Sequence, residues 1–174
     1  MNTRSQIAID QYLAQQKYMQ ARAVLKRNWK KEPDNVWLMA RISTTYYEEK
    51  KYKAAMDWAE KAYLLCPQDP LVIWDYAGAL DMLGQTEQAI ALYHRILAMS
   101  YQQIGLEYTG EGIRWAKSLL NDCRYRIALA YSDLGKDAIA LKFMREHQIH
   151  RVKGLPSLYS SKEVKQFIAK YDTF

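Results

Sequence analysis

A pattern that returns every 34 residues is the strongest constraint on what this chain can fold into. Small, aromatic and proline positions share that step, as in the series Ala21/Ala55/Ala89, Tyr18/Tyr52/Thr86, Tyr12/Tyr46/Leu80, Leu25/Ala59/Tyr93 and Pro33/Pro67/Tyr101. Each period fits a helix, a short turn, a second helix and a chain break at or near proline. Such a unit is too small to bury its own apolar face, so we expect the units to stack into a helical solenoid.

The composition of the 174 residues agrees with a compact helical protein. Hydrophobic residues make up 49% and charged residues 25%, which argues against a disordered chain. The 7 glycines and 4 prolines are too few for an all-β fold with many tight turns. A net charge of +6 permits an acidic partner, but excess lysine is also common on solvated helices. Charge alone therefore does not predict a nucleic-acid partner.

Three sequence features favour a soluble cytoplasmic protein. Cys66 and Cys123 are far apart and form no C-x-x-C pair, which is typical of small buried hydrophobes in a reducing compartment. The first ten residues lack the apolar run of a signal peptide. No stretch approaches the roughly 20 apolar residues that span a bilayer. We therefore expect a cytoplasmic location and no membrane span.

The third period carries the repeat pattern most fully, in Trp74, Tyr76, Ala77, Leu80, Gly84, Ala89, Ile90, Tyr93 and Leu97. With the two periods before it, this pattern resembles the tetratricopeptide repeat (TPR) family over most of the chain. The resemblance implies an all-α fold, a right-handed α-α superhelix of about four helix pairs with a C-terminal capping helix. Small residues such as Ala55 and Ala89 would let the two helices of a unit cross closely.

We interpret residues 1–174 as one TPR-like domain. Its three regular units are predicted at about 2–35, 36–69 and 70–103, and an inserted strap follows at 101–112. A fourth unit with an elongated first helix is predicted at about 112–150, and a capping helix at about 160–171. The fourth unit is out of step, because Gly135 follows its counterpart Gly84 after 51 residues. Apolar residues spaced alternately three and four apart predict one long helix from about Gly112 to Leu134.

The two irregular parts each have their own signals. The strap at 101–112 contains three glycines with Ile104, Leu106 and Tyr108, so we expect it to be ordered but irregular and to pack on the repeats, where it gates or completes a groove. Ser160 and Glu163 have the spacing of a capping box that opens the last helix. The apolar face of that helix is predicted to cover the end of the stack and consists of Val164, Phe167, Ile168 and Tyr171.

The TPR resemblance also implies which residues face a partner. The first helix of each unit lines the concave face, and the positions carried over from the family give the candidate groove residues Trp37, Tyr47, Glu48, Trp74, Asp81, Met82, Tyr125 and Asp133. Aromatic anchors surrounded by charges are typical of binding hot spots. The carboxylates favour a peptide with Lys or Arg beside apolar residues. Alternatively, Trp37, Trp74 or Tyr125 packs as core.

One subclass of the family binds acidic C-termini of heat-shock chaperones with a clamp of lysine, asparagine and arginine. The matching positions here hold Gln6, Asp10, Arg41, Leu71 and Asp75, or, one unit further on, Ala40, Thr44, Asp75, Asp122 and Arg126. Neither set builds the clamp, and carboxylates have the wrong sign for a C-terminal carboxylate. We therefore do not expect this role.

No catalytic constellation is visible in the sequence, which has no glycine-rich phosphate loop, G-x-S-x-G or H-E-x-x-H motif. His147 and His150 have possible metal spacing, but two histidines at one end of a helix are more often surface residues. We predict a protein that is not an enzyme and has no cofactor or metal. Its expected role is to hold another protein or peptide, as an adaptor, a scaffold or a client-binding chaperone.

Two further function classes stay open. In the first, the exposed end of the first unit docks on another copy of the chain, which gives a homo-oligomer. In the second, basic convex patches bind RNA or an anionic surface, although we interpret them first as solvated faces. The first patch lies in the second helix of the first unit and consists of Arg22, Lys26, Arg27, Lys30 and Lys31. The second patch lies near the C-terminus and consists of Lys142, Arg145, Arg151, Lys153, Lys162, Lys165 and Lys170.

Overall fold

The computed structural model describes residues 3–107 and 109–171, and these residues form helices and loops without a strand. The all-α prediction is therefore confirmed for the described residues. Tyr108 of the predicted strap and the ends of the predicted domain, 1–2 and 172–174, lie outside them. The helices are α1 (Thr3–Ala14), α2 (Tyr18–Trp29), α3 (Val36–Glu48), α4 (Tyr52–Leu65), α5 (Pro70–Met82), α6 (Thr86–Leu97), α7 (Tyr101–Leu106), α8 (Ile113–Asp133), α9 (Asp137–Ile149) and α10 (Ser161–Tyr171).

The chain divides into two compact units between Gly84 and Gln85. Unit 1 contains α1 to α5, and unit 2 contains α6 to α10. In unit 1 each helix packs against the next one along the chain, and α3 also packs against α5. In unit 2, α8 packs against α6, α7 and α9, and α10 packs against α9.

The 34-residue period is visible in the backbone as well as in the side chains. Gln16, Lys50 and Gly84 follow one another at that step, and all three have positive φ angles, of 56°, 59° and 80°. Gly135, the counterpart of Gly84 in the fourth repeat, has a φ of 68°. The turn after the first helix of each repeat therefore uses the left-handed conformation, for which glycine is best suited. The first two repeats accept it without glycine.

Local signals explain where the helices of unit 1 begin. The Asn35 side chain accepts a hydrogen bond from the Leu38 amide (3.1 Å) and caps α3. The Asp69 carboxylate accepts from the amides of Leu71 (3.0 Å) and Val72 (3.1 Å), and Pro70 occupies the first turn of α5. These side chains satisfy amides that have no partner within the helix.

The core of unit 1 combines apolar side chains with alanines at helix crossings. One cluster joins four helix residues, Ile9, Leu25, Leu38 and Ile42, and a neighbouring cluster joins Val36, Met39, Ala62 and Val72. Trp29 and Trp58 meet edge to face with ring centroids 4.9 Å apart. Ala55 and Ala59 of α4 are fully buried, as expected for residues that permit close helix approach.

The prediction that Arg22 lies on a solvated face is wrong. Its side chain is buried, with Nη2 donating to Glu49 Oε2 (2.7 Å) and Nη1 to the Thr45 carbonyl oxygen (3.2 Å). The guanidinium also lies 4.0 Å from the centre of the Tyr46 ring, whose hydroxyl accepts a hydrogen bond from Lys26 (2.8 Å). Because α2 packs across α3, these cations meet partners on α3, which the sequence of α2 alone does not reveal.

The long helix of unit 2, expected from about Gly112 to Leu134, is α8, which runs over Ile113–Asp133. Its 21 residues extend for about 31 Å at ~1.5 Å per residue. Ile113 and Leu134, at the two ends of the predicted apolar face, are exposed. The residues between them are buried, in the series Ala116, Leu120, Cys123, Ile127 and Ala130.

The prediction of an irregular strap is wrong for its first six residues, which form α7. The helix begins because Ser100 and Gln103 make a capping box, with the Ser100 amide donating to Gln103 Oε1 (2.8 Å) and the Gln103 amide to Ser100 Oγ (3.1 Å). The Ser-x-x-Gln spacing is visible in the sequence, but the glycines that follow it favoured an irregular segment. Ile104 is fully buried, and α7 packs against α8.

The glycines of the strap allow two stretches of backbone to touch. The Gly112 amide donates to the Gly105 carbonyl oxygen (3.2 Å), and the Gly110 amide to that of Glu107 (2.8 Å). A Cβ atom at Gly105 would lie 2.9 Å from the Gly112 carbonyl carbon. A Cβ atom at Gly110 would lie 2.7 Å from the carbonyl oxygens of both Ile104 and Gly105. A side chain at Gly105 would therefore push α7 away from the start of α8, and a side chain at Gly110 would push the loop away from the end of α7.

The C-terminal helix α10 begins with the predicted capping box. The Ser160 amide donates to Glu163 Oε2 (2.6 Å), and the Glu163 amide donates to Ser160 Oγ (3.2 Å). Val164 is buried in a cluster with Tyr125, Ala128 and Met144, against which Phe167 and Ile168 also pack. Helix α10 thus covers apolar surface of α8 and α9.

We expect Gly110→Ala to lower the free energy of unfolding by about 2 kcal/mol, because the new methyl group meets backbone oxygens that have little room to move. Urea denaturation measures the change. Gln102→Ala, at an exposed position of α7, is the control and should change stability little. Equal stability of the two variants would contradict the close backbone contact.

Candidate partner-binding surfaces

The clearest surface in unit 2 already holds a chain segment. The TPR resemblance implies groove positions on α8 at Asp122, Tyr125, Leu129, Ser132 and Asp133, and residues near the C-terminus contact three of them. Ser157 Oγ donates to Asp122 Oδ1 (2.6 Å), and the Leu158 amide donates to Asp122 Oδ2 (3.0 Å). The ring of Tyr125 stacks on that of Tyr159, with centroids 3.7 Å apart and planes 12° apart. The hydroxyl oxygens of Ser132 and Tyr171 lie 2.6 Å apart.

A buried polar group helps to hold this segment. Arg151 Nη1 donates to the Tyr159 carbonyl oxygen (2.7 Å) and lies 3.4 Å from His147 Nε2. His147 is fully buried, and its Nδ1 lies 2.8 Å from the Asn121 carbonyl oxygen. The edge of the His147 ring meets Tyr125 at a centroid distance of 5.3 Å. The segment Ser157–Tyr159 is therefore bound by side-chain hydrogen bonds and by aromatic stacking.

The prediction that His147 is a surface residue is wrong, whereas His150 is exposed. No group of three metal-ligating side chains occurs within residues 3–107 and 109–171. Burial lowers the pKa of His147, although its bond to the Asn121 carbonyl acts in the opposite direction. A neutral imidazole at neutral pH fits its place between Asn121 and Tyr125.

The carboxyl group of Asp122 is also shifted by its surroundings. Burial raises its pKa above the ordinary value, while the hydrogen bonds from Leu158 and Ser157 oppose the shift. The two donors and the nearby positive charge of Arg151 favour the ionised form of Asp122. The contact between α8 and the C-terminal segment is thus a satisfied pair of buried polar partners.

The eight groove residues predicted from the sequence fall into two groups. Tyr125 is only 6% exposed under Tyr159, and Asp133 is exposed at the end of α8. The other six lie in unit 1 on the mutually packed helices α3 and α5, as Trp37, Tyr47, Glu48, Trp74, Asp81 and Met82. Glu48 and Met82 are exposed, and the other four are partly buried.

The aromatic residues of α3 both pack and remain partly open. Trp37 lies at the edge of the cluster around Ile9 and Leu38, and the Arg41 guanidinium is 5.4 Å from the centre of its ring. Tyr47 meets Tyr52 edge to face, with centroids 5.4 Å apart. These contacts fix the rings in place without burying them fully, and rigid amphipathic rings of this kind suit a binding surface.

Asp75 on α5 is a polar residue of this surface that the list of groove residues missed. It is partly buried and accepts a hydrogen bond from Thr44 Oγ1 on α3 (3.3 Å). Burial raises the pKa of its carboxyl from 3.8 to about 7, although the nearby Arg41 lowers it. The sequence analysis considered Asp75 only as a position of the chaperone-binding clamp, which this chain does not build. Its burial depends on how α3 and α5 pack, which no local pattern states.

The surfaces on α3, α5 and α8 occupy matching positions in their repeats. With the 34-residue step, Ala40 and Tyr47 of α3 match Trp74 and Asp81 of α5. With the 51-residue step, Trp74 matches Tyr125 of α8, the residue that stacks on Tyr159. Trp74 is therefore an aromatic residue at the position where α8 binds a chain segment.

Solved structures with a similar fold include MamA MSR-1 and MamA AMB-1, with TM-scores of 0.57 for both and identities of 21% and 20%. The matches cover 80% of this chain in both cases, and 70% and 72% of those chains. A thermophilic TPR protein of Thermus thermophilus matches with a TM-score of 0.50 and 17% identity, over 93% of this chain and 94% of its own. No protein-family model and no curated protein matches the sequence.

These similarities establish the fold class. The chain has the helical-repeat fold of TPR proteins, and the resemblance found in its sequence is confirmed at the level of the fold. In the parts of the chain that the structure describes, none of the helices has both the length and the apolar character needed to cross a membrane.

The raised pKa of Asp75 predicts a pH-dependent stability. Its carboxyl is protonated in the folded state up to about pH 7, whereas the unfolded chain ionises near pH 4. Stability from this group is therefore complete below pH 4 and is lost as the pH rises to 7, by up to about 1.4 kcal/mol per pH unit. Asp75→Asn should be more stable than wild type at pH 8, and the difference should disappear towards pH 4.

Urea unfolding at pH 4.5, 6 and 8 measures this difference. Asp57→Asn is the matched control, because Asp57 is exposed on α4 and its loss should change stability little at each pH. If Asp75→Asn and wild type differed by the same amount at all three pH values, the carboxyl of Asp75 would not be protonated in the folded protein.

Proposed function

We propose that this protein is a non-enzymatic interaction module that holds an extended segment of another protein on the α3–α5 surface of unit 1. The observation that carries the proposal is the bound segment Ser157–Tyr159. Within this chain, the first helix of one repeat holds a chain segment through a carboxylate and an aromatic ring. Helix α5 offers an aromatic ring at the matching position and leaves it partly open.

The chemistry of the surface defines the partner segment. Trp74 and Trp37 offer ring faces to apolar or aromatic side chains. Glu48 and Asp81 offer carboxylates to Lys or Arg at the edge of the surface, where they add more to specificity than to affinity. A partner segment with a basic residue beside apolar residues therefore fits this surface best. The protein would act as an adaptor, scaffold or client-binding chaperone.

Other features of unit 1 support a protein partner over RNA. Arg22 and Lys26 belong to the basic cluster that the alternative of RNA binding requires, and both side chains make hydrogen bonds within unit 1. The cluster is therefore weaker as an outward-facing basic patch than the sequence suggests. The α3–α5 surface, by contrast, carries carboxylates that would repel phosphates.

Selection from a library of random peptides displayed on phage tests the proposal directly. We expect selected peptides to combine Lys or Arg with apolar residues and to bind the full chain saturably. Trp74→Ala should weaken binding about tenfold or more, because it removes the central ring. Asp81→Lys should lower the affinity for basic peptides further, and added salt should reduce the effect of this charge reversal.

Two control variants lie on α4, outside this surface. Asp57→Lys makes the same charge reversal at an exposed position, and Leu64→Ala shortens a side chain that is 76% exposed. Both should bind the selected peptides as wild type does. Peptides that bound Trp74→Ala and Asp81→Lys as tightly as the controls would contradict the proposed surface.

A further inference from the structure

The buried side chain of His147 lies where the segment Ser157–Tyr159 is held on α8. Its ring meets the rings of Tyr125 and Tyr159 edge to face, at centroid distances of 5.3 Å and 6.5 Å. His147 therefore adjoins both members of the aromatic stack that binds the segment. These contacts lie within unit 2, so they do not depend on the function proposed for the α3–α5 surface.

The neighbours of the two ring nitrogens fix the protonation state of His147. Nδ1 lies 2.8 Å from the Asn121 carbonyl oxygen, which can only accept a hydrogen bond, so Nδ1 carries the proton. Nε2 lies 3.4 Å from Nη1 of Arg151, which can only donate, so Nε2 is the acceptor of a neutral ring. A second proton on Nε2 would point one N–H group at another and would put two positive charges side by side.

Arg151 connects the charge of His147 to the position of the segment. The same nitrogen, Nη1, donates to the Tyr159 carbonyl oxygen (2.7 Å). Repulsion from a protonated His147 would move the guanidinium and remove its bond to Tyr159. It would also place a charge at the edge of the Tyr125–Tyr159 stack, in a site from which water is excluded.

Most of the surroundings of His147 act against its protonation. Burial is the largest influence and lowers its pKa. The hydrogen bond to Asn121 and the charge of Asp122 act in the opposite direction, while Arg151 and Arg124 lower the pKa further. These charges belong to α8 and to the connection from α9 to α10.

Helix α10, which packs against α9, faces this region with apolar side chains. Val164 and Phe167 lie in the cluster that also contains Tyr125. The charged residues of α10 are exposed, and the carboxylate of Glu163 accepts a hydrogen bond from the Ser160 amide (2.6 Å). The charges that act most on the buried imidazole are therefore those of α8 and of the connection.

We propose that protonation of His147 releases the segment Ser157–Tyr159 from α8, so that the segment is a pH-sensitive cover of the α8 surface. The closed state has the segment bound, and in the open state water surrounds Nε2 and the proton binds there. Well above the ordinary histidine pKa of 6.5 the ring is neutral in both states, and the closed state has its full stability. As the pH falls below 6.5, the ratio of closed to open molecules decreases by up to about tenfold per pH unit.

Asp122 titrates with the opposite sign. Because burial raises the pKa of its carboxyl in the closed state, protonation of Asp122 favours the closed state. Acid would therefore strengthen the contact if Asp122 controlled it and weaken the contact if His147 does. The direction of the pH effect distinguishes the two groups.

Hydrogen–deuterium exchange of the full chain at pH 7.5 and pH 5.5 tests the proposal, with each rate divided by the intrinsic exchange rate at that pH. In the closed state the Leu158 amide donates to Asp122, and the Tyr159 amide donates to Ser157 Oγ. We expect both amides to lose protection by about three- to tenfold at pH 5.5. The amides in the middle of α8 and of α3 should keep their protection.

Two histidine variants assign the effect. His147→Asn cannot be protonated and keeps a side-chain donor for the Asn121 carbonyl oxygen, so protection of the segment should no longer depend on pH. His150→Asn is the matched control, because His150 is exposed and its removal should leave the pH dependence of wild type unchanged. A loss of pH dependence in both variants, or in neither, would overturn the proposal.

An NMR titration of the histidine rings of the wild type gives a second readout that needs no change in the core. The His147 signal should titrate with a midpoint below 6.5, and the Leu158 amide signal should shift with the same midpoint. A His147 midpoint at or above 6.5 would overturn the proposal, as would an unchanged Leu158 signal. Equal loss of protection in the segment, α8 and α3 would also overturn it, because the whole chain would then be unfolding.

Discussion

A helix pair of this repeat is too small to bury its own apolar face, and the rest of the structure depends on covering that face with neighbouring parts of the chain. Close contact between helices needs small residues at the crossings, and Ala55, Ala59 and Ala89 are fully buried. In unit 2 the requirement is met at the chain's end by α10, which covers α8 and α9 through Val164. The outward-facing positions of the helices are then free to differ between repeats.

Asp122 and Asp75 show that carboxylates on the first helices of two repeats have different properties. Asp122 on α8 accepts hydrogen bonds from a backbone amide and from a serine hydroxyl, so a chain segment satisfies it. Asp75 on α5 has the Thr44 hydroxyl as hydrogen-bond donor and Arg41 nearby, and its pKa rises to about 7. Burial is similar in kind at both sites. Asp122 accepts from two donors and Asp75 from Thr44, and such hydrogen bonds oppose the effect of burial on the pKa of each carboxyl.

The sequence predicted what depends on residues close together in the chain. The repeat period, the capping box at Ser160 and the long apolar face of α8 all use neighbours within one helix turn or one period, and each can be read without knowing the fold. The signal for the start of α7 is equally local, since Ser100 and Gln103 have the spacing of a capping box, but the glycines after Gln103 favoured an irregular segment. The principal signals for helix location were therefore available.

The errors concern contacts between distant parts of the chain. The buried Arg22 makes hydrogen bonds to Glu49 and Thr45, which lie outside its own helix. The buried His147 lies within hydrogen-bond distance of the Asn121 carbonyl oxygen of α8. For Tyr125 the sequence left a partner-facing and a core position open, and the ring is covered by Tyr159 from the C-terminal segment. A polar side chain reads as exposed in a sequence until its partner is known, since burial without one is costly.

The segment Ser157–Tyr159 has a consequence for competition. Because it is joined to α9 by a short connection, it acts on α8 at an effective concentration in the millimolar range. A separate chain present at micromolar concentration would need to bind about a thousandfold more tightly, or about 4 kcal/mol better, to displace it half of the time. Release of the segment is a unimolecular step whose rate does not depend on protein concentration. The rate at which another segment could bind to this surface of α8 would therefore be set by the lifetime of the Tyr125–Tyr159 stack and not by the concentration of the partner.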